Sequence, residues 1–178
     1  MAMWWLGAIA FVFVGAVVAV FNDLVAARNQ VRAAWSDIDV QLTRRHDLVP
    51  QLVAAVHGYA DYERATLTTV TELRTRAIAA ASLSEKAQLE GELAQQINRI
   101  LALQERYPDL KASENFLALQ LDLVGIEDHL QYARRFYNGA VRELNNRIET
   151  FPGLLVARTT NFKPADFFRQ GNDLESPA

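Results

Sequence analysis

Between Met1 and Asn22 the chain carries no charged side chain, and this uncharged run restricts its fold more than any other feature. As a helix, the stretch from Met3 to Phe21 rises about 1.5 Å per residue and covers roughly the 30 Å of a bilayer's hydrocarbon core. Trp4 and Trp5 open it, where amphipathic indoles favour the headgroup layer. Gly7, Gly15 and Ala19 fall at multiples of four and offer a stripe for close helix packing, a pattern common by chance in apolar helices. A cleaved secretory signal needs a basic start, a shorter apolar stretch and a small-residue cleavage site, and no Lys or Arg precedes this run. Residues 1–22 are therefore expected to be an anchor, with residues 3–21 in the lipid bilayer as a single-pass span. Arg28 and Arg32 follow the span, offset by Asp23, so the positive-inside rule predicts an N-terminus outside and a cytoplasmic domain at the cell's inner (cytoplasmic) membrane.

With 178 residues, the chain beyond the anchor has room for one soluble domain with a hydrophobic core. A net charge of −3 gives no electrostatic reason to bind a polyanion, so no nucleic-acid partner is expected. The absence of cysteine excludes disulfides, thiolate catalysis and cysteine-based zinc sites.

After the anchor, apolar residues recur at helical spacing, without a long strand-like alternation. The fold class this predicts is all-α: a transmembrane helix continuing into an antiparallel bundle of four main helices over 23–170, with a loose tail at 171–178. A first helix from Asn22 to Val56 carries Leu24, Val31, Ile38 and Leu52 in one row and Trp35, Leu42, Val49 and Val56 in the next. No turn signal separates it from Phe21, which predicts one continuous rod. A second helix from Asp61 to Ala80 places Leu67, Val70, Leu73 and Ala77 on one face, while His57-Gly58-Tyr59 fits either a turn or a still longer first helix. Ser82 and Glu85 form a capping box ahead of a third helix that runs through Leu89, Leu93, Ile97 and Ile100 to Tyr107. Pro108-Asp109 marks a break or a fresh start. A fourth helix from Leu110 to Thr150 repeats every seven residues at Phe116, Leu123, Leu130, Tyr137, Leu144 and Phe151, interleaved with Leu119, Ile126, Ala133 and Ala140, as a coiled-coil-like partner for the first. Pro152-Gly153 ends it. Phe151, Phe162, Phe167 and Phe168 in the tail are expected to fold back on the bundle in preference to touching the bilayer.

The densest polar stretch is Ser36-Asp37-Ile38-Asp39 followed by Arg44-Arg45-His46-Asp47. A di-metal carboxylate bundle needs a Glu-x-x-His pair on two helices, yet Thr43, Ala54 and Ile126 stand three residues before His46, His57 and His129. There is no His-Glu-x-x-His motif, no glycine-rich phosphate loop and no Gly-x-Ser-x-Gly elbow, so no catalytic, metal or cofactor residue is assigned and no cofactor is expected. Arg45 lies on an apolar row and calls for an acidic partner, Asp122 or Glu127 on the fourth helix or a neighbouring subunit. Pro50 removes a backbone donor and crowds the carbonyl of His46, which predicts a kink or break. Asp37, Asp39, Arg44, Arg45, His46, Asp47 and Pro50 are therefore the candidate partner or interface patch. Tyr132, Phe136 and Tyr137 with Arg134 and Arg135 form a weaker aromatic and basic candidate, and Trp35 is expected in the core.

Several long segments resemble the LemA family: Leu24-Val25 with Arg28-Asn29, AWSDIDVQLTRRHDLVPQLVAAVHGYADYE, YPDLKASENFLALQ, ARRFYNGAVRELNNRIETFP and FKPADFF, in the right order over nearly the whole chain. Phe21-Asn22 stands where many members look like Tyr-Asn. The resemblance implies a membrane helix followed by a helical bundle, no established enzymatic activity and no agreed functional residues. Some members are associated with membrane remodelling around organelle-like compartments, others with a membrane-bound zinc metalloprotease of the HtpX type. The expected function is a non-enzymatic, membrane-anchored scaffold or adaptor that self-associates as a homo-oligomer and binds membrane partners, an integral membrane protease among them, in protein quality control. A metal-dependent sensor or enzyme using His46, Asp47 and Asp39 or Glu127, and a membrane-remodelling oligomer, are the alternatives.

Overall fold

The computed structural model describes residues 2–58 and 64–169. Among these there is no strand; the elements are α1 (Ala2–His57), α2 (Arg64–Ala79), α3 (Leu83–Leu101), a 3-10 turn (Ala102–Glu105), α4 (Pro108–Lys111), α5 (Glu114–Glu149) and α6 (Gly153–Thr159). The apolar run and the first helix are indeed one helix, which ends at His57 with Gly58 in a turn. The expected start of the second helix at Asp61, the residue Tyr59 and the tail from 171 lie outside the described residues. The four long helices are α1, α2, α3 and α5, and the described residues divide into two compact units, residues 2–36 with 135–167 and residues 37–58 and 64–134 with 168–169.

Caps and prolines set the boundaries. Ser82 is extended (φ −119°, ψ 155°) and its hydroxyl accepts from the Glu85 amide at 3.1 Å, while the Glu85 carboxylate turns back to the Ala81 amide at 3.2 Å, one residue short of the reciprocal contact of an ideal capping box. The third helix tightens into the 3-10 turn after Leu101 instead of running to Tyr107. Pro108 starts α4 in the first helical turn, where a missing amide costs nothing. That helix is a single turn, and the long helix begins afresh at Glu114, where the Ser113 hydroxyl accepts from the Phe116 amide, so the expected start at Leu110 is four residues early.

In the unit of residues 37–134, Val49, Leu52 and Val56 of α1, Leu67, Val70, Leu73 and Ala77 of α2, Leu89, Leu93, Ile97 and Ile100 of α3, and Phe116 and Leu123 of α5 form one buried cluster. Each fully buried Leu or Val side chain contributes about 1.5–3 kcal/mol by leaving water. The unit containing α1's first part pairs it with the second part of α5: Asp23 meets Arg147 and Trp35 meets Tyr137 edge-on at 5.7 Å. Numbers rise along one helix as they fall along the other, so the pairing is antiparallel. Leu24, Val31, Tyr137, Ala140 and Leu144 are buried there, in agreement with the predicted rows, and Ala27, Ala34 and Val141 are buried beside them.

Glycine is required at position 153, where an added Cβ would lie 2.0 Å from the carbonyl oxygen of Arg147. Asn161, in the left-handed region at φ 56°, closes α6, and the Phe162 amide donates to the Ala157 carbonyl at 3.0 Å in a Schellman-type cap that turns the chain back. The returning segment is clamped to α5. Asn145 both donates to the Ala165 carbonyl and accepts from its amide, and the Tyr137 hydroxyl donates to the Asp166 carbonyl at 3.0 Å. Phe162 packs edge-on against Phe21 and under the Arg28 guanidinium, and Phe168 is buried, as expected of a tail that folds back. Phe151 does not follow them: it is 79% exposed.

Candidate functional site

Arg45 and His46 are neighbours on α1 and both face inward. The Arg45 guanidinium donates through Nη2 to Oε2 of Glu90 at 2.5 Å and through Nη1 to Oε2 of Glu127 at 3.1 Å, and Nε2 of His46 lies 2.7 Å from the other Glu90 oxygen. Glu90 is completely buried (0% exposed) among the apolar residues of α3, and Glu127 reaches the cluster from α5. Burial pushes the Glu90 carboxyl up, but the His46 hydrogen bond, the Arg45 and His46 charges and the Arg45 hydrogen bond together outweigh it and hold the group below its ordinary value. Glu90 is thus a carboxylate, and the His46 nitrogen facing it carries the proton. Three helices are joined by one charge cluster in a low-dielectric interior, where each partner is needed because an unpaired buried charge costs several kcal/mol.

Pro50 sits within the uninterrupted α1 helix, so the expected break does not occur. A proline cannot donate to the carbonyl four residues earlier, here that of His46. Arg74 of α2 takes over: its Nε donates to the His46 carbonyl at 2.6 Å. The proline therefore creates an acceptor that ties α2 to α1 at His46, itself a member of the charge cluster. Arg74→Ala is expected to destabilise the bundle by about 1–3 kcal/mol by leaving that carbonyl unpaired. Pro50→Ala restores an intrahelical donor, so the Arg74→Ala loss should shrink markedly in the Pro50→Ala background, measured as a double-mutant cycle by chemical denaturation.

The other half of the predicted patch faces outward. Gln41, Arg44, Asp47 and Leu48 of α1 and Leu121, Asp122, Gly125, Ile126 and His129 of α5 line a groove of about 430 Å³. Arg44, Asp47, Asp122 and His129 are exposed, and among the described residues no ion pair engages them. Leu121, 74% exposed, stands on the α5 wall. Asp37 and Pro50 are exposed away from both features, and Asp39 lies 3.9 Å from Lys86. His46 and Asp47 are not brought to one point, and among the described residues no three His, Asp or Glu side chains group as a metal would need. Of the acids foreseen for Arg45, Glu127 is its partner, while Asp122 lines the groove. The second candidate patch divides as well: Tyr137 is buried, its phenol raised by burial and by the Asp166 charge, while Tyr132 and Phe136 are exposed.

Glu90 and Arg74 are the residues that sequence reasoning missed. Glu90 lies three residues before Leu93 and seven before Ile97, squarely on the apolar row of α3. An acid on that row is the complement of Arg45 on its own row, and matching the two would have found the pair. Arg74 carries no such signal, since the carbonyl it serves is created by a proline on another helix.

The apolar part of α1 is the remaining feature. From Trp4 to Val18 its large side chains are exposed, and by length and composition the helix is able to cross a membrane. The LemA family model matches residues 34–178, a span that contains the charge cluster and the groove. The chain belongs to the LemA family. Protein LemA of Metamycoplasma hominis is 29% identical over 174 residues, covering 96% of this chain and 76% of that protein. Magnetosome protein MamQ 2 of Paramagnetospirillum magneticum is 23% identical over 184 residues, covering 89% of this chain and 68% of its own length. Magnetosome protein MamQ of Magnetospirillum gryphiswaldense is 20% identical over 176 residues, and the match spans 65% of its length. None of these names denotes an enzyme.

Proposed function

We propose that this LemA-family chain is a membrane-anchored helical scaffold, held in the cytoplasmic membrane by residues 3–21 with its bundle on the cytoplasmic side. Its groove between α1 and α5 binds a second copy or an integral membrane partner such as a protease. The observation that carries the reading is the groove itself. Unpaired charges of both signs, Arg44 and His129 against Asp47 and Asp122, surround apolar Leu48, Leu121 and Ile126, a combination that favours a protein surface able to answer charge with charge. The apolar run supports the anchor, because a contiguous exposed apolar surface of this size needs a cover that water does not provide. A photocrosslinking residue in place of Leu121, in the full-length chain in its native membrane, should capture a second copy or an integral protein. Capture of neither would contradict the proposal.

The likeness to magnetosome proteins favours a second reading, a membrane-shaping oligomer. It predicts altered vesicle morphology on reconstitution of the full-length chain, and unchanged vesicles would exclude it.

A further inference from the structure

Phe151 and Leu155 are the apolar residues that the folded-back tail leaves uncovered, at 79% and 57% exposure. Their place in the fold gives this meaning. The pairing of Arg147 with Asp23, and of Phe162 with Phe21, sets the end of α5 and the loop after α6 level with the point where the uncharged run of α1 ends. Past the end of α5 at Glu149 the chain folds back, and Gly153 at the start of α6 lies against the Arg147 carbonyl. Phe151 and α6 therefore belong to a segment held at both ends beside the close of the uncharged run, through Arg147 at Asp23 and Phe162 at Phe21. The same short segment carries Arg158 and Lys163, both exposed, and among the described residues neither has a partner. Glu149 and Asp166 are the exposed acids nearby in sequence. Apolar side chains directed outward beside unpaired cations, at the exit of a membrane helix, match the chemistry of a bilayer's interfacial layer with anionic headgroups.

From this arrangement we infer that the α6 corner is a second membrane contact: Phe151 and Leu155 enter the interfacial layer of an anionic lipid surface while Arg158 and Lys163 meet its headgroups. The inference rests on the reading of residues 3–21 as a membrane span. The contact fixes the tilt and rotation of the bundle on the membrane, which a single helix leaves free, and holds the α1 and α5 surfaces at a defined orientation for partners.

The chain has no cysteine, so single-cysteine variants of the full-length protein can be spin-labelled without background. Three sites decide the matter in vesicles of phosphatidylcholine with phosphatidylglycerol: Leu155, Val14 in the apolar run, and Phe136. Phe136 is similarly apolar and exposed (54%), but lies roughly 20 Å from the end of α5 along the helix axis. Labels at Leu155 and Val14 should collide more with dissolved oxygen than with a water-soluble nickel chelate, and the Phe136 label should show the reverse. In pure phosphatidylcholine the Leu155 label should shift several-fold toward the aqueous reagent. A Leu155 label as water-accessible as that at Phe136, with Val14 still in lipid, overturns the second contact and leaves the anchor standing. If Val14 also reports water, the anchor and the second contact fall together.

Discussion

Glu90→Ala is expected to lower the unfolding free energy of the bundle by about 3–5 kcal/mol, the cost of stranding a buried charge. In the folded protein Glu90 is completely buried and receives both Arg45 and His46, so its loss leaves the guanidinium with Glu127 alone. Denaturant titration of the full-length protein in mild detergent, followed by helical circular dichroism, measures the change. Replacing Arg45 by Met and Glu90 by Leu together should recover part of it, because an apolar pair of similar volume escapes the desolvation of two charges while His46 still lacks its Glu90 partner. A double variant as unstable as Glu90→Ala would mean that packing rather than charge pairing holds α1 to α3.

The same group makes stability depend on pH in the acid range. Its carboxyl is held below its ordinary value in the folded state, so the contribution is fully present above the unfolded-state value and is lost as pH falls through the lower folded value. Below that point Arg45 keeps only the Glu127 carboxylate as its counter-charge. Glu90→Gln removes the titrating group, so its stability should vary less with pH over the acid range than that of the wild type.

Val12→Asp combined with Val14→Asp should release the chain from the membrane. Each acid near the middle of a spanning helix costs about 2.5–3.5 kcal/mol, and two of them together should outweigh much of the benefit of inserting the remaining apolar residues. Both valines are exposed in an apolar stretch with no protein surface over it, so the substitutions disturb no folded contact. Alkaline extraction of membranes should leave the wild type in the pellet and bring the double variant into the supernatant, with the bundle's helical signal retained. Retention of the variant in the pellet would show that contacts other than residues 3–21 suffice to hold the chain.

Much of the fold was legible because helical period and apolar character are local. The rows of α1 and α5 came directly from spacing, and Arg45 on an apolar row announced a buried acid, with Glu127 among those named. What was not legible depended on how helix faces divide. Arg44, Arg45, His46 and Asp47 read as one polar stretch, yet successive helical residues turn about 100° apart, so Arg45 and His46 went inward while Arg44 and Asp47 went to the groove. A single Ser113 cap restarted α5 four residues beyond the expected point, since Pro108 supports one helical turn without forcing it to continue. The Pro50 to Arg74 compensation was invisible because it depends on which α2 side chain meets the His46 carbonyl, and no periodicity encodes that. Phe151 remained outside while Phe162 and Phe168 folded back, a difference set by the Asn161 turn.

The scaffold reading is tested most directly by the mass of the intact particle obtained when the full-length chain is purified from its native membrane in mild detergent. A defined particle well above the 20.0 kDa of one chain, containing further copies or an integral membrane protein and reduced in mass by Leu121→Arg, is the predicted result. A lone monomer with nothing bound, unchanged by that substitution, would contradict it.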